Sequence, residues 1–212
     1  MRTQVRTGLS ILKRDKKLAP LIKKYGPPDF SRRGNAKGVF PAILRSIVYQ
    51  QLSGHAARAI HARVLALFPG GVPTPKALLK IRASRLRTAG LSIQKITYAR
   101  DLARRSTDGT INEKRFPKMS SEEIVEHLTQ VKGVGEWTAH MVLIFTLGRP
   151  DILPTGDLGV RKGFQKVYKT RALPEKTEME KRARAWRAHA SFASWYFWAV
   201  ADEGNKNRPK KK

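Results

Sequence analysis

Cysteine is absent from this 212-residue chain. Disulfides, thiolate metal sites, iron–sulfur clusters and cysteine nucleophiles are therefore excluded together. Acidic residues are scarce: 16 Asp and Glu face 43 Lys and Arg, for a formal net charge of +27. An excess of that size opposes compaction unless a polyanion shares the surface. No apolar run approaches the roughly 20 residues that a bilayer crossing requires, so no membrane association is expected. The basic N-terminus lacks a following apolar stretch of signal type, so export is not expected either. No run alternates strictly between polar and apolar residues, so a sheet is not indicated. What the chain does have is a hydrophobic fraction of 41%. That is enough for a core and too much for a wholly disordered basic protein. Composition thus points to a soluble intracellular protein whose partner is an anion, nucleic acid before any other.

Helix signals recur through the middle of the chain. Pro41 suits a first helical turn, with Ile43, Leu44, Ile47 and Val48 on one face. Ser53, Thr74, Ser84, Ser92 and Ser120 each precede apolar residues at helical spacing, as N-caps do. Ser120 and Glu123 have the spacing of a capping box. Phe68-Pro69-Gly70-Gly71 and Gly90 act as stops. The fold class expected is all-α with short connections. Lys206 to Lys212 has no acid and no apolar anchor, and reads as a disordered basic tail.

The most specific local signal runs from Leu128 to Ala139. An amphipathic helix ends in Gly133-Val134-Gly135, and a helix apolar nearly all round follows from Thr138 to Leu147. An all-round apolar helix is normally buried. The glycines permit unusual backbone and close approach, and the amides lie at a helix N-terminus, which favours an anion. Val134 can plug back into the core. The arrangement suits a grip on a phosphate backbone that positions without reading sequence. An ordinary helix–turn–helix corner is the alternative for an isolated Gly-x-Gly; the basic context favours the phosphate grip.

This hairpin resembles the helix–hairpin–helix of the DNA base-excision glycosylases that share a Gly/Pro-rich loop and a catalytic Asp. The stretch from Leu147 to Gly163, with Pro150, Pro154, Gly156 and Asp157-Leu158-Gly159-Val160, is similar to the alkylpurine (3-methyladenine) branch of that family. So are Ile47-Val48-Tyr49-Gln50-Gln51-Leu52-Ser53, Gly90-Leu91-Ser92-Ile93-Gln94-Lys95, Trp186-Arg187 and Ser194-Trp195-Tyr196-Phe197-Trp198. The similar segments run in order over roughly residues 40–200. The resemblance implies a two-lobed helical fold with a cleft between the lobes and no N-terminal sheet domain. Residues 1–38 together with 153–205 would form one lobe, 39–152 the lobe carrying the hairpin, and 206–212 the tail.

The resemblance also assigns roles. Asp157 matches the catalytic Asp, and a carboxylate suits the cation-like sugar formed when an N-glycosidic bond breaks. Spacing alone makes Asp157 a helix N-cap, and the two roles are compatible. Bifunctional relatives place a Schiff-base Lys two residues after the second hairpin Gly; here that position is Trp137, which argues against a lyase step. Trp137 and Trp198 fall where the branch lines its base pocket with aromatics, whose faces favour electron-poor alkylated bases. Met141 either floors that pocket or packs in the core. Lys132, Gly133, Val134, Gly135 and Thr138 are the hairpin's DNA-binding candidates, with a monovalent ion at the hairpin backbone implied by the family. The wedge that fills the gap behind a flipped base falls at Leu91, Ser92 and Ile93; Ser92 as a cap and Leu91 or Ile93 as turn anchors are the alternatives. Gln51 and Ser53, beside Gln50, face the gap or the opposite strand, or serve as polar residues at a helix end. The branch has a Pro-aromatic-Arg-Ser stretch after the Trp matched by Trp186, where this chain has Ala188-His189-Ala190-Ser191.

The function expected is that of a monofunctional DNA glycosylase. It would remove alkylated purines from duplex DNA by base flipping and leave an abasic site for base excision repair. It would work as a monomer, without cofactor or catalytic metal, in the cytoplasm of a prokaryote or the nucleus of a eukaryote. The alternative is a non-catalytic helix–hairpin–helix protein that binds damaged or bent DNA.

Overall fold

Side-chain caps set where the helices begin. Ser53, Thr74, Ser92, Ser120 and Asp157 each accept the amide three residues on, at 3.4, 3.3, 3.2, 3.1 and 2.8 Å. Glu123 returns the contact by accepting the Ser120 amide at 2.6 Å, which completes the expected capping box. Ser84 differs from expectation. It lies inside its helix, which starts at Ala83 after Arg82 with no side-chain cap.

The computed structural model describes residues 2–30 and 38–203. The expected tail at 206–212 lies outside the described residues. In chain order the α-helices are α1 (Arg2–Leu12), α2 (Ala19–Tyr25), α3 (Val39–Tyr49), α4 (Gly54–Leu65), α5 (Pro75–Lys80) and α6 (Ala83–Thr88). They continue with α7 (Ile93–Thr107), α8 (Ser121–Thr129), α9 (Glu136–Phe145), α10 (Leu158–Tyr168), α11 (Lys176–Ala183) and α12 (Ala190–Glu203). Short 3₁₀ segments lie at Pro69–Gly71, Glu113–Lys118 and Arg184–His189. There is no strand among the described residues, so the all-α expectation holds. None of the described helices is long and apolar enough to cross a membrane.

The chain divides into two compact units, Met1–Arg33 with Gly148–Lys212, and Gly34–Leu147. The second, continuous unit holds α3 to α9. Ile43, Leu44, Ile47 and Val48 of α3, Ala99 and Leu102 of α7, and Ala139 and Leu143 of α9 are all fully buried. The first unit joins both ends of the chain. Its main packing is α10 against α12, with Phe164 and Phe197 fully buried and their ring centroids 5.3 Å apart.

Asp15 ties the N-terminal segment into this first unit. Its carboxylate accepts Tyr168 Oη at 2.7 Å, Trp186 Nε1 at 3.3 Å and the Lys17 amide at 2.8 Å. Burial and the Asp15 carboxylate both push the Tyr168 hydroxyl far above the ordinary tyrosine range, so it stays a donor. Asp15→Ala is expected to cost about 2–3 kcal/mol, because buried donors lose a charged acceptor. Chemical denaturation checks it; a loss below about 0.5 kcal/mol would show that Asp15 is a surface turn residue only.

Candidate functional site

The hairpin closes the gap between α8 and α9. Gly133 has φ of 76°, and a Cβ there would lie 2.1 Å from a ring carbon of Tyr98. Only glycine meets both demands. Gly135 differs from expectation: its φ of −96° is open to any residue, and a Cβ there would meet nothing within 4 Å. What Gly135 provides is room outside. It is the N-cap of α9, and no side chain caps that helix. The first-turn amides of α9 therefore border open space at the positive end of the helix dipole.

Val134 is 5% exposed and plugs the turn into the core, as its sequence position implied. Lys132 is exposed. Thr138, in the first turn of α9, is buried at 4% exposure. Trp137 projects outward at 49% exposure, against the alternative of a core aromatic, while Met141 one turn on is half-buried.

Two further segments lie around the hairpin within the same unit. Gln50 Nε2 donates to the Gly133 carbonyl at 2.7 Å. Gln51 and Ser53 follow, both exposed, with Gln51 in the left-handed region at φ of 54° and Ser53 capping α4. Leu52 between them is 38% exposed. At the start of α7, Ser92 is the cap and Ile93 is 75% exposed. Leu91 has no exposure and anchors the turn from inside. The turn is braced by Arg63, whose Nε donates to the Ala89 carbonyl at 3.0 Å, and by Arg87, which donates to the Leu91 carbonyl at 3.0 Å.

Sequence reasoning missed Asp101 and Tyr98 on α7. Asp101 accepts the Lys132 amide at 2.9 Å and Arg105 Nε at 3.1 Å. Burial opposes its ionisation, but these donors prevail and hold its carboxyl below the ordinary aspartate range. No local pattern marks its contact with the hairpin, because Lys132 lies 31 residues away in sequence.

The carboxylate of Asp157 is built in the other unit. As N-cap of α10 it accepts the Val160 amide, and the same oxygen accepts Trp198 Nε1, each at 2.8 Å. A Cβ at Gly159 would sit 2.9 Å from Trp198 Cδ1 and 3.1 Å from that oxygen, so the Asp-Leu-Gly run leaves room for the indole. Trp198 is 6% exposed, and its N–H is committed to the carboxylate. Ser191 fixes the preceding loop to α12. Its Oγ accepts the Ile152 amide at 3.0 Å and donates to the Arg149 carbonyl at 2.7 Å, and its own amide donates to the Pro150 carbonyl at 2.8 Å. Arg187 adds a bond to the Asp151 carbonyl. The Ala188–Ser191 departure thus keeps the contact between loop and helix, with His189 stacked on Phe192 at 6.0 Å.

A capped hairpin and a Gly/Pro-rich loop ending in a helix-capping aspartate are now both in place. A family model of HhH-GPD superfamily base excision DNA repair proteins matches residues 44–188. The chain belongs to the HhH-GPD superfamily. Among its relatives there, a DNA-3-methyladenine glycosylase of Schizosaccharomyces pombe is 33% identical over 201 residues, covering 92% of this chain and 87% of that protein. The structure of a DNA-3-methyladenine glycosidase from Bacillus halodurans matches with a TM-score of 0.84 at 31% identity, over 93% of this chain and 89% of the other. A 3-methyladenine DNA glycosylase of S. pombe in complex with abasic DNA matches with a TM-score of 0.76 at 28% identity, over 97% of this chain and 100% of the other. The HhH-GPD match spans both the hairpin and Asp157.

Proposed function

We propose that this chain is a monofunctional DNA glycosylase that hydrolyses the N-glycosidic bond of alkylated purines in duplex DNA and leaves an abasic site. The observation that carries the reading is the Asp157 carboxylate, held by the Val160 amide and the Trp198 indole at 2.8 Å each. Two donors on one oxygen fix its direction. An ionised carboxylate stabilises the oxocarbenium-like sugar and orients the attacking water. An alkylated purine leaves readily because its ring is already electron-poor or cationic.

The remaining groups bind and extrude. The α9 amides and Lys132 hold a DNA phosphate, and Ile93 enters the gap left by the flipped base. Trp137 stacks on that base. With Trp at this position there is no amine to form a Schiff base, so no strand cleavage follows. The protein acts as a monomer. A monovalent cation at the hairpin fits main-chain oxygens, the donors that hard cations take. The Val131 and Gly133 carbonyls would hold it. Each carries one donor, Val134 N at 3.0 Å and Gln50 Nε2 at 2.7 Å, and each has a second lone pair. Such an ion would supply positive charge beside a phosphate.

Single-turnover assays on duplexes bearing 3-methyladenine, 7-methylguanine, ethenoadenine or hypoxanthine test the reading. Alkali-labile sites are expected on at least one alkylated duplex. Binding with no release of any base would instead support a non-catalytic binder, and nicks without alkali would contradict the monofunctional assignment. Trp198→Phe keeps a ring and removes the N–H donor. It is expected to slow base release about tenfold, the rate equivalent of one hydrogen bond to a charged group. A normal rate in that variant would show that the indole only packs.

A further inference from the structure

Helix α7 packs against α3, α5 and α6 and also reaches the hairpin. Lys95 lies in its first turn, three residues past the capping Ser92, where the helix dipole disfavours a cation. It is half-buried, and burial lowers its pKa. Neither local preference calls for a lysine there. Its ammonium donates to the carbonyls of Val48 and Gln50, both at 2.8 Å. These are acceptors at the end of α3, the kind a helix leaves without partners of its own.

The consequence passes through one peptide unit. The Gln50 carbonyl and the Gln51 amide share a plane. Fixing that carbonyl on Lys95 fixes the plane from which Gln51 turns. Gln51 is the residue at φ of 54°, a left-handed conformation that a side chain disfavours. The tie therefore also fixes the direction in which Leu52 and Ser53 leave. The Gln50 side chain reaches the other way, to the Gly133 carbonyl at 2.7 Å. One turn further along α7, Tyr98 lies against Gly133, and Asp101 then takes the Lys132 amide.

We propose that Lys95 is a positioning residue that holds the Gln51–Ser53 turn in register with the hairpin. The segment facing the gap and the segment gripping the backbone then meet DNA as one surface. The inference rests on the DNA-binding part of the reading above, not on which base is excised.

A double-mutant cycle in the whole chain tests it, with Lys95→Met, Gln50→Leu and the pair. The readout is the affinity for a duplex carrying a tetrahydrofuran abasic site divided by that for the intact duplex. Lys95→Met keeps the apolar stem and removes the donors. Its intact-duplex affinity is expected to stay within about threefold, because the ammonium faces carbonyls rather than phosphate. Each single substitution is expected to lower the ratio about tenfold, and the pair also about tenfold, since both break one path. Lys95→Arg is expected to recover most of the ratio. An unchanged ratio, a roughly hundredfold additive loss, or equal loss of both affinities overturns the proposal. Should Lys95→Met melt below the assay temperature, an unchanged ratio in Gln50→Leu alone overturns it. The cycle measures no base release. A chain that excises nothing therefore sinks the glycosylase reading and leaves this inference standing, while normal excision with an unchanged ratio does the reverse.

Discussion

Asp157→Asn is expected to lower single-turnover base release by about 10²–10³-fold while leaving melting and DNA binding nearly unchanged. The variant separates two roles that sequence could not. Asn caps helices about as well as Asp. Its amide oxygen can take over from the oxygen that now accepts the Val160 amide and the Trp198 indole at 2.8 Å. The expected cost in stability is below about 1 kcal/mol. What is lost is the charge opposite the developing sugar cation. Asp157→Ala makes the contrast. It removes the cap as well and leaves an indole N–H without its acceptor on a residue 6% exposed, adding about 1–3 kcal/mol of destabilisation. Excision by the Asn variant within a few-fold of wild type would reduce Asp157 to a cap.

Gly163→Ala is expected to be the most damaging small substitution for stability. A Cβ at Gly163 would sit 1.9 Å from the Phe197 carbonyl oxygen and 2.4 Å from its carbon. Both are backbone atoms of α12, so no side chain can rotate away. Alanine in place of glycine favours a helix by about 1 kcal/mol, so α10 taken alone predicts the opposite sign. Overpacking against backbone outweighs that gain, and the net loss is expected to be about 3 kcal/mol. Melting would fall by roughly 6–12 °C for a chain of this size. Trp198 follows Phe197 on α12 and donates to Asp157, so base release should fall with it. A variant that melts at or above wild type would show that α10 and α12 do not approach this closely.

The parts of this fold that were legible in the sequence are those written locally. Ser53, Thr74, Ser92 and Ser120 announce their helices because a cap and its amide lie three residues apart. Asp157 was legible twice, as a cap by spacing and as a candidate carboxylate by resemblance. Ser84 misled because a serine in the first turn looks like a cap in sequence. The burial of Leu91, Thr138 and Trp198 was not legible for a different reason. Exposure depends on what packs from elsewhere in the chain, and each is at most 6% exposed. Asp101, Gln50 and Lys95 act across 31 to 83 residues of chain. No periodicity records such pairings.

The unit that carries Asp157 is assembled from both ends of the chain, and its Asp15 contacts span 153 and 171 residues. The unit that carries the hairpin is one continuous stretch. During synthesis the continuous stretch can condense as it leaves the ribosome, because its loops are short to close. The discontinuous unit must wait for α12, which follows that whole stretch in the chain. A newly made chain thus passes through a stage in which the hairpin is shaped while the Asp157 carboxylate still lacks the Trp198 donor that holds it.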